Sequence, residues 1–203
     1  MGTGGSTADL MVSRLQAAKV GLPHAPEAID EFVRECAGRD LRDAARLVLE
    51  PARAHLAEDP SLVGSPVTAE GMSRLFARTD ALGIALLAAC LEQRVAFHRH
   101  LVEASGDRGR IVLVDTGLFG GTMRILERTF TAHVWSCALF GRANYRGIHA
   151  PHFARTAGLV FEADRPSGRR PATALLRHWH LVEGLFEHDL PLSLIHISEP
   201  TRR

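Results

Sequence analysis

The stretch Ile111-Val112-Leu113-Val114-Asp115-Thr116-Gly117-Leu118-Phe119-Gly120-Gly121-Thr122 decides the fold. Its four leading apolar residues are too few for a helix and branched enough for a buried strand. Asp115 closes the run, a glycine-rich turn follows, and Met123, Leu126 and Phe130 then resume helical spacing. Strand, glycine loop and helix in that order open a parallel crossover. Downstream, residues 134–140 read as a second strand and 158–162 as a third. Residues 172–189 read as a helix with Leu175, Trp179, Val182 and Phe186 turned inward. The chain is therefore expected to be α/β: a helical N-terminal half, then a small, at least partly parallel sheet flanked by helices.

Upstream the punctuation is helical. Pro26 suits a first-turn position, with Ile29, Phe32, Val33 and Cys36 at helical spacing after it. Asp40 is placed to cap a helix carrying Leu41, Ala45, Val48 and Leu49, which Pro51 ends or kinks. Residues 58–66 form a turn-rich link, and Thr68 caps a short stretch with Met72, Leu75 and Phe76. Asp80 opens a long helix to about residue 104. Its first half is apolar almost all round, which predicts burial between other elements. Its second half, with Arg94, His98, Arg99, His100 and Glu103, is expected to reach water. The organisation expected is a helical region at 1–106, an α/β region at 107–190 and a tail at 191–203.

The tail stands apart. Residues 192–203 read LSLIHISEPTRR and hold two isoleucines, Ile195 and Ile197, against five in the preceding 191 residues. The string resembles translated sequencing-adapter DNA found at the ends of unrelated reading frames. It is read as foreign to the domain, with the C-terminal region of the same protein as the missing partner.

Composition narrows the function classes. A formal net charge of +1 argues against a dedicated nucleic-acid binder, and Lys19 is the sole lysine among the basic residues. Three widely spaced cysteines, Cys36, Cys90 and Cys137, fit neither a disulfide framework nor a zinc knuckle. The first residues lack a basic-then-apolar signal, and the apolar run at 81–91 is shorter than a bilayer span. A cytoplasmic protein of bacterial type, binding neither membrane nor nucleic acid, is the expectation.

The glycine loop is where chemistry is expected. The first N–H groups of a helix are unpaired and its dipole favours negative charge there. Gly117, Gly120 and Gly121 let a phosphate approach the backbone, Thr116 and Thr122 offer hydroxyls, and Thr122 is placed to cap the helix. Asp115 suits a ribose hydroxyl or a magnesium ion at a strand's carboxyl end. Arg142, followed by Asn144, Tyr145 and Arg146, is a phosphate or carboxylate partner after the second strand. The alternative at each position is structural: a tight turn braced by Asp115, and a solvated arginine loop. The spacing fits neither the dinucleotide fingerprint nor the Walker loop, and the Asp-Thr-Gly of residues 115–117 lacks the all-β setting of an aspartic protease. His98/His100 and His178/His180 diverge on helices, and His149 and His152 lack a third ligand, so no metal cluster is assigned. No catalytic residue is assigned either.

Two resemblances add to these readings. The strand, acid and Gly-Thr ending at 111–122 resemble the ribose-phosphate loop of phosphoribosyltransferases, with Thr116 in place of that family's second acid and Phe119 in place of a small hydroxyl residue. From Gln93 to Asp189, the loop, Phe140-Gly141-Arg142 and the Trp179, Glu183, Phe186 pattern resemble the accessory region of large bacterial haloacid-dehalogenase-superfamily proteins. That resemblance implies a hydrolase-associated fragment linked to cell-surface glycan synthesis, without the superfamily's D-x-D-x-T nucleophile motif. Three functions are carried forward: a phosphate- or nucleotide-type ligand site, a phosphoribosyl- or glycosyl-transferase-like enzyme using Asp115 and magnesium, and a non-catalytic interaction module built on the long apolar helix.

Overall fold

The computed structural model describes residues 12–105, 109–115, 117–143, 151–163 and 178. Helices come first: α1 (Arg14–Gly21), α2 (Pro26–Glu35), α3 (Leu41–Val48), α4 (Ala69–Phe76) and α5 (Ala81–Ser105). Short 3-10 stretches at Pro51–Ala57 and Pro60–Leu62 join α3 to α4. Strand β1 (Arg110–Asp115), helix α6 (Gly121–Thr129), strand β2 (Val134–Ala143), a 3-10 stretch at Pro151–Arg155 and strand β3 (Thr156–Ala163) complete the described elements. The architecture is α/β, as the sequence predicts.

The predicted caps are in place because each is a local contact between a side chain and a nearby backbone donor. Asp40 Oδ1 accepts the Asp43 N–H at 2.9 Å, and Thr68 Oγ1 accepts the Gly71 N–H at 3.0 Å. Asp80 Oδ1 accepts from Gly83 at 3.0 Å and starts α5. Helix α1 was not signalled by spacing, since its buried face is built from Ala17, Ala18, Val20 and Gly21. Small residues let it sit close to its neighbours: a Cβ on Gly21 would lie 2.5 Å from Ala28 Cβ.

Two apolar clusters form the core. One joins Phe32, Cys36, Ala45, Val48, Met72, Leu75, Leu82, Leu86 and Cys90. The other joins Ala17, Val20, Phe97, Leu101, Met123, Leu126, Trp135, Cys137 and Leu139. Helix α5 contributes to both and ties them together. Gln93 Nε2 donates to the Val48 carbonyl at 2.8 Å, closing the C-terminus of α3. Arg94 donates to the Val20 and Leu22 carbonyls at 3.1 and 2.7 Å, closing α1. Arg94 therefore does not reach out to water as expected, because three orphan carbonyls at helix ends need donors. The first half of α5 is also less enclosed than its composition suggests: Ile84, Leu87 and Leu91 face outward. By length and composition α5 is long and apolar enough to cross a membrane; Leu82, Leu86, Cys90, Phe97 and Leu101 on one side of it are buried in the core.

The three strands lie in the order β1-β2-β3 and both pairings are parallel. Ile111 pairs with Trp135 and Asp115 with Leu139, while the β2–β3 register shifts between Leu139 and Gly141. On one face Trp135, Cys137 and Leu139 are buried with Phe97 and α6, and the Trp135 indole donates to the Phe130 carbonyl at 3.1 Å. On the other, Val112, Val114 and Leu159 are exposed, Val114 by 78%. Strand β2 runs to Ala143, past the predicted end at 140, so Arg142 belongs to the strand and not to a loop after it. Residues 144–146 and most of 172–189 lie outside the described residues. His178, the described residue in the latter stretch, is exposed.

Candidate functional site

The glycine loop joins β1 to α6 at the carboxyl edge of the sheet. Asp115 ends β1 half-buried, and its Oδ1 accepts the Gly117 N–H at 2.7 Å. A Cβ on Gly117 would lie 2.9 Å from the same oxygen, so a side chain there would push the Asp115 carboxylate aside. Thr116 lies outside the described residues. Leu118 is buried and anchors the middle of the loop.

Gly120 makes the second turn. Its φ of +64° puts it in the left-handed region, where a side chain costs about 1–2 kcal/mol. An added Cβ would also sit 3.3 Å from Thr156 Cγ2 and 3.8 Å from His152 Cδ2. Gly120 is the N-cap of α6, and no side chain caps that helix. Thr122, expected as a cap, is inside the first turn of α6, because the left-handed glycine starts the helix two residues earlier. Gly121 is exposed, and a Cβ there would meet nothing within 4 Å. The start of α6 at Gly121 thus faces open space, while Gly120 just before it is packed against Thr156 and His152.

The brace behind the loop was not legible in the sequence. His152, on the 3-10 stretch before β3, is 8% exposed, and its Nε2 lies 2.9 Å from the Phe119 carbonyl oxygen. Its ring stacks on Phe153 at 4.8 Å between centroids. Thr156 Oγ1 donates to the Phe153 carbonyl at 3.0 Å, and Arg142 Nη1 donates to the same oxygen at 3.3 Å. Arg142 therefore supports the segment that supports the loop. His149, its suggested companion, lies outside the described residues. On the far side, Glu27 of α2 holds α6 through Arg124 at 3.0 Å and Arg128 at 3.6 Å. Burial pushes the Glu27 carboxyl up, but a backbone hydrogen bond and the two guanidiniums outweigh it and hold the group below its ordinary range.

The Cys137 thiol, close enough to feel the Asp115 charge, stays protonated at neutral pH. Burial, helped by the Asp115 charge, pushes the Cys137 thiol up to about 12. Burial likewise raises Cys90 to about 12 and Cys36 to about 11. Among the described residues no three His, Cys, Asp or Glu side chains gather to hold a metal ion. His98 stacks on Phe130 at 5.7 Å between centroids, while His100 Nδ1 lies 3.4 Å from Glu103, so the two rings serve separate contacts.

A concavity of about 330 Å³ lies at the start of α5 between His55, Asp59, Arg78, Asp80 and Leu82. Its charges satisfy one another: Arg78 Nη2 meets Asp59 at 2.6 Å, and Arg78 Nε meets the Asp80 carboxylate at 3.0 Å. Its residues serve to close a helix end. Comparison of the chain with known protein families, with curated proteins and with solved structures finds no match in any of the three.

Proposed function

We propose that the loop from Asp115 to Thr122 binds a small phosphorylated ligand of nucleotide or sugar-phosphate type. The observation that carries this reading is the uncapped start of α6. A helix of nine residues begins at a left-handed glycine that offers it no side-chain cap, and Gly121 in its first turn faces open space. Unpaired donors and the positive end of the dipole favour an anion at that place. The position agrees with the rule that ligands of open α/β sheets gather at the carboxyl ends of strands.

Asp115 narrows the ligand class. A carboxylate beside an anion cradle repels a bare phosphate, but it suits a phosphate that carries a neighbouring hydroxyl or a bridging magnesium ion. With Oδ1 already engaged by Gly117, the proposal gives Asp115 two tasks: holding the turn and presenting its second oxygen. Arg142 acts through Phe153 and the His152 segment, as a positioning residue.

The test is calorimetric titration of the full chain with nucleotides, sugar nucleotides and phosphoribosyl pyrophosphate, each with and without magnesium. Binding that Gly121→Val abolishes supports the reading, since that site tolerates a side chain in the empty protein. Silence across the panel sinks it. Preference for sugar nucleotides would favour the glycan-associated resemblance. Magnesium-dependent turnover lost in Asp115→Asn would favour the transferase-like one.

A further inference from the structure

On the outward side of α5, Ile84, Leu87, Leu91 and Val95 are exposed by 61, 40, 58 and 61%. Large apolar side chains scattered singly on a surface need no explanation, but these four form one stripe along one helix. Ile84, Ala88, Leu91 and Val95 follow one another at steps of four, three and four residues. That is the 3.5-residue period by which one helix packs its seam against another. The opposite side of α5 is fixed in both core clusters, and its flanks are held by the Gln93, Arg94 and Arg53–Glu92 contacts. The stripe is therefore a rigid ridge, independent of whatever the glycine loop binds.

We infer that this ridge is the seam of a homodimer, with α5 of one copy lying antiparallel on α5 of the second. Self-pairing in this direction sets apolar against apolar: Ile84 falls level with Val95 of the second copy, and Ala88 with Leu91. The same register sets Asp80, half-exposed in a cluster where two carboxylates (Asp59 and Asp80) share the one Arg78 guanidinium, level with the exposed Arg99 near the end of the helix. A parallel pairing would instead put Asp80 beside Asp80 and Arg99 beside Arg99. Antiparallel packing also opposes the two helix dipoles favourably. With a single helix per copy in the seam, the association belongs with the small, transient interfaces.

Sedimentation of the full chain over a concentration series gives the first readout, and thiol crosslinking the second. The native cysteines are all buried and do not compete. A monomer–dimer equilibrium that Leu91→Glu shifts at least tenfold toward monomer, and that Arg99→Asp weakens by less, is expected. Ile84→Cys mixed with Val95→Cys should crosslink, whereas Ile84→Cys alone should not, because the antiparallel register separates its two copies by about 16 Å at 1.5 Å per residue. A monomer at every concentration up to about 1 mM overturns the inference. So does a dimer that survives Leu91→Glu, which is then held elsewhere, and so does self-crosslinking of Ile84→Cys, which means a parallel seam.

Discussion

The N-terminus of α5 is closed by its own side chains, whereas that of α6 is left to the backbone. At α5, Asp80 takes the Gly83 N–H, Arg78 grips Asp80, and Asp59 grips Arg78. At α6, a left-handed glycine begins the helix and Gly121 after it faces open space. Both ends carry the same unpaired donors and the same dipole. What separates them is whether the protein spends its own carboxylate on them. A helix end that has its acid is finished structure; one that lacks it, at the edge of a parallel sheet, is where we propose that an anion from outside binds.

Substitutions at the two ends should separate them sharply. The largest effect is expected from Gly83→Ala, whose Cβ would lie 2.2 Å from the Arg78 carbonyl oxygen, against backbone that cannot give way. A loss of about 3 kcal/mol is expected, read as a lowered urea midpoint. Gly120→Ala comes next, at about 1–2 kcal/mol for the left-handed backbone, with any ligand affinity lost as well. If Gly120→Ala were neutral in both stability and binding, the loop geometry described above would be wrong.

Acid should reveal the α5 clamp. The Arg78 guanidinium and the Gly83 N–H hold the Asp80 carboxyl at about 2, down from 3.8. A depressed folded-state value means stability that is present above about pH 4 and lost as pH falls through 2. Asp80→Asn should flatten that part of the acid limb in a pH series of thermal melts, with an unchanged limb as the contrary result. The smallest effect is expected at α6: Gly121→Ala enters open space and should shift stability by about 0.5 kcal/mol or less.

How far these ends could be read from sequence depends on distance along the chain. The Asp40, Thr68 and Asp80 caps each join residues three apart, so composition and spacing suffice. The strand at 111–115 and its crossover were legible for the same reason: four apolar residues, an acid and glycines lie side by side. The loop's brace was not, because His152 reaches Phe119 across 33 residues and an intervening strand. Arg94 looked like a surface charge until α1, 72 and 74 positions away, brought its carbonyls to it. The bare side of α5 is not legible in sequence, because apolar content does not say which side of a helix the fold will cover. Thr122 was misplaced as a cap because a left-handed glycine, which leaves no periodic signal, moved the helix start upstream.

The most direct test follows individual backbone amides in a ¹⁵N-resolved spectrum as a sugar nucleotide with magnesium is added to the full chain. The proposal predicts saturable shifts at Gly120, Gly121 and Thr122, none at Ala81, Leu82 and Gly83, and loss of the response in Gly121→Val. No shift at the start of α6, or equal shifts at both helix ends, would contradict it.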